Sequence, residues 1–163
     1  MDSNCSVDAP KSTMNYRFIY NDELLEFLST QILLGARPGA AYQAALPEIK
    51  KMLFDFDIYM VSFLSDEDVG KLEKEIKGKD FDGKTITDKK LNTKLMAIRD
   101  NARTFVNIAS KYNSVCAYVN NVLCSGDRAQ DMEPLMSAFT DDESEYRLKQ
   151  VGSATCKKFL SLF

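Results

Sequence analysis

Six apolar residues, Leu91, Leu95, Ile98, Ala102, Phe105 and Ala109, follow one another at intervals of 4, 3, 4, 3 and 4. At about 3.6 residues per turn this spacing returns all six to one stripe of a helix, whereas a strand would scatter them over both faces. A long helix with one apolar face cannot bury that face alone, so the rest of the chain must supply its partners. Nowhere do Val, Ile and Thr alternate with polar residues over the length a sheet needs. The expectation is an all-α fold of seven to nine helices.

Other segments carry the same period. Leu24, Leu25, Phe27, Leu28, Ile32 and Leu33 form an apolar face, with Asp22 as N-cap and Gly35 as stop. A second helical stretch runs from Ala40 to about Leu46, and Pro47 is placed to open another, with Ile49, Met52, Leu53 and Phe56 inward. An apolar segment with Ile58, Val61, Phe63 and Leu64 follows. Ser65-Asp66-Glu67-Asp68 reads as a capping box before a helix that buries Val69, Leu72 and Ile76. Residues 77–89, rich in glycine and mixed charge, read as a solvated loop inserted between helices. Val115, Tyr118, Val119 and Val122 mark a helix over 114–124, and Met132, Leu135, Met136 and Phe139 a shorter one after a loop over 125–133. Residues 1–20 lack any period and read as a flexible arm before a single helical domain over 21–163.

Composition narrows the chemistry. The 163 residues include no His and no Trp, which removes imidazole acid-base catalysis, His-activated nucleophiles and zinc sites with a His ligand. Cys5, Cys116, Cys124 and Cys156 form no CxxC pair and follow no secretory leader, so they read as reduced thiols in an intracellular protein, cytoplasmic or nuclear. No metal or cofactor is expected. No apolar run approaches the roughly 20 residues of a membrane span. With 21 basic and 24 acidic residues the net charge is −3, so any phosphate binding must be local.

One stretch meets that condition. Between Arg147 and Lys158 the chain holds Lys149, Lys157 and Lys158 and no acid. Within it, Leu148-Lys149-Gln150-Val151-Gly152-Ser153-Ala154-Thr155 reads as a hairpin between two short helices over about 144–163. Gly152 would permit positive φ and close backbone approach, and Ser153 would cap the helix that follows. Amides at such a helix start point outward and donate to a phosphate oxygen, so backbone contacts hold duplex DNA without reading its sequence. An ordinary turn between two helices, with the glycine as a cap, fits the same pattern.

Five segments in order resemble the 3-methyladenine DNA glycosylase I family, a branch of the helix-hairpin-helix glycosylases. They are Leu24-Leu25-Glu26-Phe27-Leu28; Phe56-Asp57 with Val61; Ser65-Asp66-Glu67-Asp68-Val69 with Leu72; Asn92-Thr93-Lys94-Leu95 through Ala97-Ile98-Arg99-Asp100-Asn101-Ala102-Arg103; and Leu148 through Thr155. The resemblance spans residues 22–163 and implies a helix-hairpin-helix glycosylase-like helical bundle that holds duplex DNA by its phosphates. Lys149, Gln150, Val151, Gly152, Ser153, Thr155 and Lys157 fall on the DNA-binding hairpin, and Arg37 on the loop near the extruded base.

The family flips a damaged base into an aromatic pocket and reads its edge. Its pocket Glu corresponds to Gln31 and its pocket Trp to Gly39, while Tyr16, Tyr20 and Tyr42 are the aromatic residues left to line a pocket. The C-terminal zinc ligands of the family have no counterpart before Phe163, and Cys5 alone does not hold a metal. Two expectations follow: a DNA-binding protein of this family type, with excision of alkylated bases as the activity to test; or a non-catalytic α-helical scaffold that binds another protein.

Overall fold

The computed structural model describes residues 18–35, 39–123 and 128–163, with backbone alone over 128–131. The fold is all-α, and among the described residues there is no strand, only a β-bridge between Phe81 and Lys84. Eight α-helices are described: α1 (Asn21–Leu34), α2 (Ala40–Met52), α3 (Ile58–Ser62), α4 (Asp66–Lys77), α5 (Leu91–Tyr112), α6 (Val115–Leu123), α7 (Arg128–Thr140) and α8 (Ser153–Leu160). No described helix is long and apolar enough to cross a membrane.

The organiser is α5. All six residues of its stripe are buried, and α1, α3, α4 and α6 pack on it. Leu24, Leu25, Leu28, Ile32 and Leu33 of α1 are buried as the period implies, and Gly35 ends that helix at φ 65. The start of α1 lies elsewhere than expected: Tyr20 is its N-cap residue, and Asp22 sits in the first turn. Ser65 and Asp68 close the capping box of α4 as the sequence implies, each accepting from the other's backbone N–H at 3.0 Å.

Further local expectations need correction: the loop expected over 125–133 gives way to α7 from Arg128. Pro47 does not open a helix but lies inside α2, because its residue type fits any turn whose lost N–H can be spared and the buried Tyr42, Ala45 and Ile49 hold the helix through it. Residues 77–89 are not merely a solvated loop: Phe81 and Ile86 are both buried and peg the segment into the core. The stretch expected to form the first helix of the hairpin is a series of turns after Thr140, since Ser144 breaks back onto Ala138 O and Leu148 N bonds Phe139 O.

The link between α2 and α3 is unusual. Phe54, Asp55 and Phe56 all have positive φ, 58, 55 and 62°, and form a left-handed turn closed by Phe56 N to Leu53 O at 2.9 Å. Left-handed backbone costs an L-residue about 1–2 kcal/mol. Burial of Leu53 and Phe56 on either side, and the Asp57 carboxylate capping Tyr59 N and Met60 N, hold it in place. Of the cysteines, Cys116 and Cys156 are buried, while Cys5 and Cys124 lie outside the described residues. Burial pushes the Cys156 thiol up to about 11, which keeps it protonated and unreactive. The arm over 1–17 lies outside the described residues as well.

Candidate nucleic-acid interface and an adjoining pocket

The C-terminal turn is built on a buried asparagine. Asn101 projects from α5 with no exposed surface, its Oδ1 accepts from Lys149 N at 2.6 Å, and its Nδ2 donates to Lys149 O at 3.1 Å. This pairing of one side-chain amide with one backbone residue fixes the turn at a single point. Leu148 and Val151, both buried, anchor it on either side. Lys149, Gln150, Gly152 and Ser153 are left exposed, and Thr155 half-buried.

The left-handed residue of this turn is Gln150, at φ 60, and not Gly152, whose φ of −92 any residue adopts. Gly152 serves instead as the N-cap of α8, and no side chain caps that helix. Ser153 is therefore the first helical residue rather than the cap, and the left-handed position falls two residues before the glycine. The first intrahelical bond runs from Cys156 N to Gly152 O at 2.9 Å, so the amides of Ser153, Ala154 and Thr155 precede it. Arg147 is taken up in an ion pair with Asp142, which leaves Lys149, Lys157 and Lys158 as the local positive charge.

A pocket of about 290 Å³ lies at the other end of the same face of α5, lined by Leu34, Gly39, Ala41, Tyr42, Lys94 and residues 85–88. At its centre Asp88 Oδ2 accepts from Tyr42 Oη and from Lys94 Nζ, both at 2.8 Å. Lys94 Nζ also donates to Leu33 O at 3.2 Å, at the negative end of α1, and stands 4.9 Å from the centroid of the Tyr42 ring. Burial pushes the Asp88 carboxyl up, but hydrogen bonds from Lys94, the Lys90 backbone and Tyr42 outweigh that and hold it down at about 2. Tyr42 is moved far above its ordinary value by burial, and then by its bond to the Asp88 carboxylate and that group's charge. The result is a neutral, internally satisfied Tyr-Asp-Lys cluster with the exposed Thr85 and Thr87 beside it.

Of the sequence-derived pocket residues, Tyr42 lines this cavity. Gln31 lies half-buried on α1 and is not part of the lining, and Tyr20 is exposed beside Phe18, with ring centroids 4.9 Å apart. Tyr16 and Arg37 lie outside the described residues. Gly39 does line the pocket, and a Cβ built on it would meet nothing within 4 Å. Asp88, Lys94 and Asn101 were not singled out as site residues. Asn101 could have been found: it stands three residues after Ile98 and four before Phe105, a polar residue inside the apolar face. The Asp88–Lys94 pair had no such signal, because the loop before α5 gives no register to a reader of sequence alone.

Lys94 and Asn101 are seven residues apart, two turns of α5, so the pocket and the clamped turn share one side of that helix at about 10 Å spacing along its axis. Comparison with family models, with curated proteins and with solved structures returns no match.

Proposed function

We propose that this protein associates with duplex DNA through the uncapped start of α8, as a relative of the helix-hairpin-helix glycosylases. The observation that carries the reading is the exposed Gly152–Ala154 helix start, which follows the turn clamped by Asn101 and is flanked by Lys149, Lys157 and Lys158. Outward amides at a positive helix end donate to phosphate oxygens, and lysines nearby add a non-specific attraction. The pocket on the same side of α5 is the candidate receptor for an extruded base, with Thr85 and Thr87 offering hydrogen bonds and apolar Leu34, Ala41 and Ile86 forming its walls. Gly39 stands where the resemblance puts a stacking ring, so this pocket would hold a base by its edge more than by its face.

The test is fluorescence anisotropy of a labelled duplex at rising salt. Wild-type binding should fall steeply with salt and be indifferent to sequence. Lys149→Ala with Gly152→Asp should abolish it. A Cβ at Gly152 meets nothing within 4 Å, and Asp is a better N-cap than Gly by a few tenths of a kcal/mol. The double variant should therefore melt no earlier than wild type while its carboxylate occupies the phosphate position. Unchanged binding by that variant would sink the reading. A methylated duplex in the same assay, with release of free base as readout, separates excision from binding alone.

A second reading, a protein-binding scaffold without DNA, is favoured by the exposed acids Asp141, Asp142, Glu143 and Glu145 that precede the turn and oppose a phosphate backbone. It is the conclusion if the wild-type chain leaves duplex unbound at low salt.

A further inference from the structure

Six large apolar side chains are exposed among the described residues, and four of them, Phe54, Tyr59, Met60 and Phe63, fall within ten positions. Tyr59 in α3 and Phe63, the C-cap residue of that helix with helical backbone, are one turn apart, with Met60 three residues before Phe63, so these side chains adjoin. Phe63 is 81% exposed, the most open of the set. The sequence reading grouped it with Ile58 and Val61, which are buried.

An exposed phenylalanine on a loose loop would mean little. This one is held. Arg103 donates from Nε to Ser62 O at 2.9 Å and from Nη2 to Leu64 O at 3.1 Å, and Arg99 Nη1 donates to Leu64 O at 3.1 Å. Two arginines of α5 thus bind the carbonyls on either side of Phe63 and leave its ring in solvent. On the other edge, three consecutive left-handed residues present Phe54, 40% exposed, while Phe56 is buried. Strained backbone that persists because its surroundings hold it is a common mark of a functional surface.

The charge of this surface says what fits it. Residues 54–68 carry five carboxylates, Asp55, Asp57, Asp66, Glu67 and Asp68, and no lysine or arginine of their own; of the two α5 arginines set against them, Arg99 is buried and paired with Asp66, and the exposed Arg103 bonds the Ser62 and Leu64 carbonyls. Such a rim opposes phosphates, anionic lipid and a second copy of itself, and complements lysine and arginine. Arg99 and Arg103 each stand two residues from Asn101, about 200° around α5, so this surface is on the far side of that helix from the clamped turn. We infer that α3 and the left-handed turn before it form a docking surface for a basic amphipathic helix of another protein. Its apolar side would cover Phe63, Tyr59 and Met60, and its lysines or arginines would face Asp55 and Asp57.

The probe is a synthetic helical peptide of leucine and lysine, with its leucine and glutamate counterpart as control, titrated into the full chain by NMR. The lysine peptide should bind, shifting amide resonances of residues 54–68, and the glutamate peptide should not. Phe63→Ser, at an exposed position, should keep the wild-type melting temperature and weaken binding tenfold or more. Asp55→Asn, which tolerates left-handed backbone, should weaken it severalfold. The inference fails if neither peptide binds, if both bind alike, if Phe63→Ser binds as wild type, or if the shifts map elsewhere. It fails equally if a Phe63-dependent dimer appears in sedimentation, or if the chain floats with phosphatidylcholine vesicles, since the occupant would then be a second copy or a membrane.

Discussion

Asp88 gathers more polar contacts than any other side chain of the pocket: the phenol of Tyr42, the ammonium of Lys94 and the backbone N–H of Lys90, at 2.8 Å each. A carboxyl held at about 2 when folded, against about 3.9 when unfolded, stabilises the fold above the unfolded value and ceases to do so as pH falls toward 2. With its side chain 25% exposed, the contribution is on the order of 2 kcal/mol at neutral pH. Asp88→Asn should lower stability by about that amount at pH 7. It should also flatten the loss of stability between pH 4 and pH 2, which urea titrations across that range would show. Arg99 is the other charge at stake, being 5% exposed and paired with Asp66 and Asp100. Burial works against its charge, and the two carboxylates more than offset this, so that its ionised form is secure while it holds Leu64 O.

Among the elements, α2 shows a conflict between local preference and packing. Pro47 has no N–H for the Gln43 carbonyl, yet the helix runs through it because Tyr42, Ala45 and Ile49 are buried on one side. Pro47 is itself exposed, so Pro47→Ala should restore that bond without disturbing the core and raise stability by about 1–2 kcal/mol, read from the urea midpoint. The helices that the sequence shows well are those whose period and boundary signals agree. In α5 the stripe is unbroken, in α4 Ser65 and Asp68 mark the start, and in α1 Gly35 marks the end. Where a signal has two uses, as proline and glycine do, local spacing misleads: Pro47 suits a helix start but lies inside α2, and Gly152 suits a left-handed position that Gln150 fills.

On the scale of the whole molecule, α5 divides two surfaces. One side carries Lys94 and Asn101, hence the pocket and the clamped turn, while the other carries Arg99 and Arg103, which position Phe63. Because α1, α3, α4 and α6 all pack on α5, its central amides should exchange with solvent only through global unfolding. Hydrogen exchange followed by mass spectrometry should find them the slowest in the chain, with the exposed turns over 141–145 far faster; fast exchange in α5 would contradict this packing.

The sequence by itself determined the all-α class, the organising role of α5 and most of the buried face, since periodic burial of apolar side chains is a local property that spacing records. It also showed the stretch from Arg147 to Lys158 to hold four basic residues and no acid, because charge can be counted without coordinates. Only the tertiary structure brought Asp88 to Tyr42, 46 residues away, and Asn101 to Lys149, 48 away. It alone left Phe63 in water while its neighbours Val61 and Leu64 turned inward. Such pairings depend on where α5 meets distant loops, and that is decided by the packing of the whole core rather than by any window of the chain.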